Sequence, residues 1–122
     1  MTAPTSLYGV TLDCADPVAM ADFYHRLTGM KITYSTEEFA GLSHEGGLAV
    51  NFQRVADYRP PVWPGQDVPQ QFHLDFQAGD LAEAEALVLE LGGSKAEHQP
   101  GDRWRVYLDP AGHPFCLVGG GS

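Results

Sequence analysis

The sequence carries an internal duplication, and a repeated unit implies a repeated supersecondary structure. An offset of 64 residues lays Gly9-Val10-Thr11-Leu12 over His73-Leu74-Asp75-Phe76 and brings Asp16 onto Asp80, Phe23 onto Leu87, Leu27 onto Leu91 and Gly29 onto Gly93. Near the ends of the halves an offset of 65 lays Val50-Asn51-Phe52 over Phe115-Cys116-Leu117. Few residues are identical. What repeats is an order of features: an alternating strand, an Asp-capped helix, then shorter strands with turns.

Period-two alternation predicts the strands. In residues 71–77, Phe72, Leu74 and Phe76 share one face while Gln71, His73, Asp75 and Gln77 share the other. In the first copy Val10, Leu12 and Cys14 oppose Gly9, Thr11 and Asp13. Such strands pack the apolar face and turn the polar one to solvent or a wet cavity. The packing partners are the helices that follow. Asp16 is a good N-cap with Pro17 at the first helical position, and Met20, Phe23, Tyr24 and Leu27 form one stripe before Gly29. In the second copy Asp80 caps, Glu83 takes the capping-box position, and Ala84, Leu87, Val88 and Leu91 form the stripe before Gly92-Gly93. Further strands are expected near 31–36, 38–43, 48–53, 104–109 and 114–118, with a weaker one near 93–97. Asp109-Pro110-Ala111-Gly112 reads as a type I turn. The fold class is therefore α+β, built of two βαβββ modules.

Module one covers about residues 7–53 and module two about 71–118, within a single domain of residues 1–118. The connector 54–70 holds four of the nine prolines and reads as a stiff extended segment. Its Tyr58 and Trp63 either fold over a cavity or staple the connector to the surface. Gly119-Gly120-Gly121-Ser122 reads as a flexible tail. Seven basic against sixteen acidic residues give a formal charge of −9. A phosphate backbone repels that balance, so nucleic acid is not an expected partner, whereas a cationic or neutral small molecule is. A hydrophobic content of 43% with 19% charged residues excludes a disordered chain. No apolar run approaches the roughly 18 residues of a membrane span. Met1-Thr2-Ala3-Pro4-Thr5-Ser6 lacks the basic flank and apolar stretch of a signal peptide, so a cytoplasmic location without membrane contact is expected. Cys14 and Cys116 make no disulfide framework.

The segments Leu12-Asp13-Cys14-Ala15-Asp16-Pro17, Phe23-Tyr24, His73-Leu74-Asp75 and Asp109-Pro110-Ala111-Gly112-His113-Pro114-Phe115-Cys116-Leu117-Val118, in that order, resemble the vicinal-oxygen-chelate superfamily. The similarity is to its glyoxalase-like and bleomycin-resistance-like branch and covers about residues 7–118. It implies that the modules form a curved mixed sheet around a cavity, with the helices on the outer face, and that the protein is a homodimer. It also implies that Gly9, Asn51, His73 and Cys116 lie on the cavity floor, where metal-dependent members place His or Glu. Only His73 keeps such a ligand. Gly9 has no side chain, Asn51 is a poor ligand, and Cys116 stands where glutamate is usual. A divalent catalytic site needs about three protein ligands, so no metal cofactor is expected and glyoxalase chemistry is disfavoured.

The expected function is binding of a small organic molecule in the cavity without a metal, of the drug-sequestering resistance type. Thr11, Asp13, Asn51, Gln71, His73 and Asp75 supply polar contacts. Cys116 joins them, as do Arg105 and Tyr107, which alternate with Trp104, Val106 and Leu108 and so share the polar side. Trp63, with Tyr58, forms a partial lid. The alternative is a lyase or isomerase in which His73 is the acid/base on an acidic C–H, or holds a divalent metal with Cys116 and a carboxylate. His73 also reads as a structural histidine, and Cys116 as a semi-buried inert thiol rather than a nucleophile. Cys14 points toward the helices. His25, His44, His98 and His113 have no tight ligand spacing and read as surface residues. There is no Gly-x-Ser-x-Gly elbow, phosphate loop or paired cysteine motif.

Overall fold

The structure, a computed structural model, describes residues 4, 7–44, 47–70, 73–102 and 104–119. The chain divides into two compact units, one ending at Tyr58 and the other beginning at Arg59. Each is a βαβββ module with its own four-stranded mixed sheet and one helix.

The first unit runs β1 (Gly9–Cys14), α1 (Pro17–Thr28), β2 (Lys31–Ser35), β3 (Phe39–Ser43) and β4 (Ala49–Arg54), with sheet order β1-β4-β3-β2. β1 lies parallel to β4, with Thr11 level with Asn51, and the remaining pairs are antiparallel. The punctuation of α1 is that read from the sequence. Asp16 Oδ1 accepts from the Ala19 N–H at 3.1 Å, satisfying one of the donors a helix start leaves open. Gly29 stops the helix in the left-handed region at φ 78°, donating its N–H to the His25 carbonyl. Between those ends Met20, Phe23 and Tyr24 are buried, as are Leu12, Cys14, Ala40, Leu42 and Phe52 of the sheet. Tyr24 stacks on Phe52 with ring centroids 5.7 Å apart.

The second unit runs β5 (Leu74–Ala78), α2 (Leu81–Glu90), β6 (Ser94–Lys95), β7 (Trp104–Leu108) and β8 (Pro114–Gly119), in order β5-β8-β7-β6. β5 lies parallel to β8, with Asp75 level with Cys116. The duplication is thus visible in the pairing, since 75 − 11 = 64 and 116 − 51 = 65. Asp80 Oδ1 caps α2 by accepting from Glu83 N at 3.0 Å. The α2 stripe is thinner than that of α1: Val88 is buried, whereas Ala84, Leu87 and Leu91 are half-buried. β6 is only two residues long, and Gln99 extends its role. The Gln99 amide donates to the Ala96 and Val106 carbonyls at 2.8 and 2.9 Å and accepts from the Val106 N–H at 2.9 Å. A side chain there does what a further strand backbone would do.

Three sequence expectations change. His73 precedes β5, which is described from Leu74, and the expected strand residues Gln71 and Phe72 lie outside the described residues. His113 is not a surface residue but only 1% exposed. The buried Asp109 carboxylate gathers the N–H groups of Ala111 and His113 at 2.9 and 3.0 Å, which tightens the turn and carries His113 inward. The third concerns the sides of β7. Opposite residues of an antiparallel pair share a face, and Val106 stands opposite Cys116 while Tyr107 stands opposite Phe115. Trp104 and Val106 therefore face with Cys116, and Arg105 and Tyr107 face α2. Tyr107 is fully buried and donates its hydroxyl to Glu85 Oε1 at 2.8 Å.

Candidate functional site: the second-unit cleft

The open faces of the two sheets carry different chemistry. In the first unit Tyr34 donates its hydroxyl to Asn51 Oδ1 at 3.1 Å, and Gln53 Nε2 donates to Asp13 Oδ1 at 2.8 Å. Tyr34 stands opposite Gly41 and its ring lies on that glycine; a Cβ there would come within 2.5 Å of the ring. Position 9 is similarly closed, because a Cβ on Gly9 would meet the Ala49 carbonyl oxygen at 2.7 Å. Thr11 is exposed beside Asn51. This face spends its polar groups on itself.

The second unit holds a cleft of about 510 Å³, within the size range of small-molecule sites. Its walls are Trp63, Pro100, Trp104, Val106, Pro114 and Val118, and its polar groups are Gln70, His73, Asp75 and Cys116. Both tryptophans of the chain are therefore in the lining. Trp63 comes from the segment read as connector. It packs on Ala96, Val106 and Cys116, with His98 tilted against its ring at 5.4 Å. Trp104 lies over Gly101, where a Cβ would stand 2.3 Å from the indole, so only glycine leaves room for the ring.

At one end of the cleft three side chains meet. The donor atoms of His73, Asp75 and Cys116 all lie within 4.8 Å of one another. His73 immediately precedes β5 and Asp75 lies on it two residues later, and the parallel register sets Cys116 level with Asp75. His73 Nε2 stands 3.6 Å from Asp75 Oδ1, beyond good hydrogen-bond length, and both side chains are largely exposed. Burial first, then the charge of Asp75 and a hydrogen bond to it, push the Cys116 thiol up to about 11. Cys116 is thus a protonated thiol at neutral pH and a poor nucleophile. Gln70 Oε1 is buried and has no hydrogen-bond partner among the described residues.

Of the residues singled out from the sequence, His73, Asp75, Cys116 and Trp63 come together in this cleft. Thr11, Asp13 and Asn51 sit on the first unit's sheet, and Gln71 is outside the described residues. Arg105 and Tyr107 are on the far face of β7. Trp104 and Gln70 were not anticipated. The signal for Trp104 lay in the Asp109–Gly112 hairpin, whose register carries the facing of Cys116 across to Val106 and Trp104.

A family model described as a glyoxalase-like domain matches residues 9–118. The chain belongs to the glyoxalase-like domain family. Solved structures of similar fold include a glyoxalase/bleomycin resistance protein/dioxygenase family enzyme from Burkholderia phytofirmans PsJN, at 20% identity and TM-score 0.70 over 94% of this chain and 98% of that one. A genomically encoded fosfomycin resistance protein from Listeria monocytogenes is similar at 17% identity and TM-score 0.70, over 98% and 96% of the two chains. An oxidase, ChaP-H2, is similar at 17% identity and TM-score 0.66, over 96% and 94%. No curated protein sequence matches significantly. At these identities the likeness is one of fold, and a fold hosts many chemistries. The four-position metal set that the superfamily resemblance implies does not fit this glyoxalase-like chain. Gly9 has no donor and no room for one, and the Asn51 oxygen is taken by Tyr34.

Proposed function

We propose that the second-unit cleft binds a small organic molecule with a flat, apolar body and a cationic nitrogen, and that binding rather than turnover is its task. The observation that carries this reading is the composition of the lining: two indole rings beside a carboxylate, with no lysine or arginine among the described lining residues. Indole faces attract cations, and Asp75 together with the orphaned Gln70 oxygen offers acceptors for N–H donors. The protonated Cys116 thiol supports the absence of covalent chemistry. Sequestration of a cationic drug is one use of such a cleft. A cytoplasmic homodimer is the form proposed for it, in keeping with two free cysteines. No helix among the described residues is long and apolar enough to cross a membrane.

The test uses two probes of one shape, naphthalen-2-ylmethylammonium and naphthalen-2-ylmethanol, added to chelator-treated protein while tryptophan fluorescence is followed. The ammonium is expected to bind about tenfold more tightly, as befits one charge-assisted contact. Asp75→Asn should remove that preference, and Trp104→Leu should weaken both probes. Equal affinity for the two probes, or no quenching by either, overturns the reading. A second reading, a lyase or isomerase with His73 as acid/base, draws on the carboxylate 3.6 Å from its Nε2. It requires His73→Ala to abolish turnover while leaving fluorescence quenching intact.

A further inference from the structure

We infer that Gln99 is a positioning residue that sets the width of the second-unit cleft, and through it the ring system the cleft admits: a fused two-ring body in preference to a single ring. Gln99 is not itself among the lining residues. It acts through Val106 and the two tryptophans. The inference rests on the reading of this cleft as a small-molecule site, and adds selection by size to selection by charge.

The first argument is a substitution in the sheet ladder. β6 and β7 pair antiparallel with Lys95 level with Tyr107, so Ala96 stands level with Val106 at the next rung. Residues facing each other at such a rung exchange two N–H to carbonyl bonds. One is present, since the Ala96 N–H donates to the Val106 carbonyl at 3.1 Å. The other is replaced by a side chain. The Val106 N–H donates to Gln99 Oε1 at 2.9 Å, and Gln99 Nε2 donates to the Ala96 carbonyl at 2.8 Å. An amide inserted on one side of a rung holds the strands further apart there than a direct bond would. It is a wedge, and the 2.9 Å bond from Nε2 to the Val106 carbonyl pins it. The second argument is what stands on this rung. Val106 is level with Cys116, so Ala96, Val106 and Cys116 form one row across three strands, and Trp63 packs on that row. Beyond Ala96 the chain leaves the sheet, carries Pro100 into the cleft wall, and returns at Trp104, whose ring lies on Gly101. One wall of the cleft thus rests on the wedged rung, and the other is carried by the segment that Gln99 ties down. Without the amide, the Ala96 carbonyl and the Val106 N–H satisfy each other directly, because buried backbone groups do not stay unpaired. The rung then closes and the cleft narrows.

The full chain is titrated in calorimetry with naphthalen-2-ylmethylammonium and with benzylammonium. In wild type the two-ring cation should bind about tenfold more tightly or better. Gln99→Met keeps the length of the side chain and loses all three bonds. It should bring the ratio down to about twofold or less, chiefly by weakening the two-ring probe, and Gln99→Ala should do the same. Val88→Ala truncates the core beneath α2, away from the cleft; it should lower stability and leave the ratio unchanged, which separates a set width from a general loss of stability. In amide exchange the Val106 N–H should stay protected in Gln99→Met as it turns to the Ala96 carbonyl. A wild type without the two-ring preference overturns the inference. So does a ratio in Gln99→Met within about twofold of wild type, or a Val106 N–H that exchanges freely there. Where Gln99→Ala folds poorly, Gln99→Met carries the test. The preference for ammonium over alcohol is read separately. Its absence, with the ring-size ratio still falling in Gln99→Met, sinks only the cationic ligand; its presence with an unmoved ratio sinks only the wedge.

Discussion

At the scale of single residues, the two modules are told apart by what stands at matching positions. Thr11 and Asn51 are the counterparts of Asp75 and Cys116, so one register carries a hydroxyl and an amide where the other carries a carboxylate and a thiol. Gly9, the counterpart of His73, is held within van der Waals reach of Ala49, and any side chain there must push backbone aside. Gly9→His therefore destabilises the protein by about 1–3 kcal/mol in urea unfolding, as overpacking does. A Gly9→His variant as stable as wild type would contradict this account. The sequence disclosed the identity of these positions well. It did not disclose that the partner of Cys116 across the parallel pair is Asp75, because parallel register is not written in either strand alone.

At the scale of elements, the legible parts were those with local physics. Both helix starts follow from Asp caps, and α1 also ends where Gly29 requires. The alternation of β7 is equally plain, but the structure turns its two sides opposite to the expectation, with Val106 facing alongside Cys116. Tyr107 looked polar enough for a cavity, yet its hydroxyl finds Glu85 on α2 and its ring lies beside Phe115. A buried phenol with one good acceptor behaves as a core residue. This pair sets a pH dependence. The Tyr107 hydrogen bond, then that of Lys95, hold the Glu85 carboxyl below its ordinary value of 4.5, so their stabilisation is present above that pH and lost as pH falls. Burial first, then the bond to Glu85, raise the Tyr107 hydroxyl above its ordinary 10.0; that contribution is present below pH 10 and lost as pH rises. Tyr107→Phe should accordingly cost about 1 kcal/mol near neutrality, with the difference from wild type shrinking toward both acid and alkali in denaturant titrations. A deficit that is flat with pH would mean that ring packing alone is at work.

At the scale of the whole molecule, the charge of −9 bears on encounter. An acidic surface attracts cations over about 8–10 Å at ordinary salt and loses that reach as salt rises. In stopped-flow quenching, association of naphthylmethylammonium should slow between low and high salt, while the alcohol of the same shape keeps its rate. Identical salt slopes for the two would show that the field plays no part. The βαβββ duplication was the most legible feature of all, since it needs only order and spacing. The cleft was less so, because half of its aromatic lining comes from the proline-rich segment after Tyr58, which no periodicity marks. One consequence follows from Tyr34 resting on Gly41. The first copy is a blank berth roofed by a phenol ring. Trimming that roof while writing Asp and Cys at positions 11 and 51 is the direct way to ask whether a spent duplicate can be taught its sibling's trade.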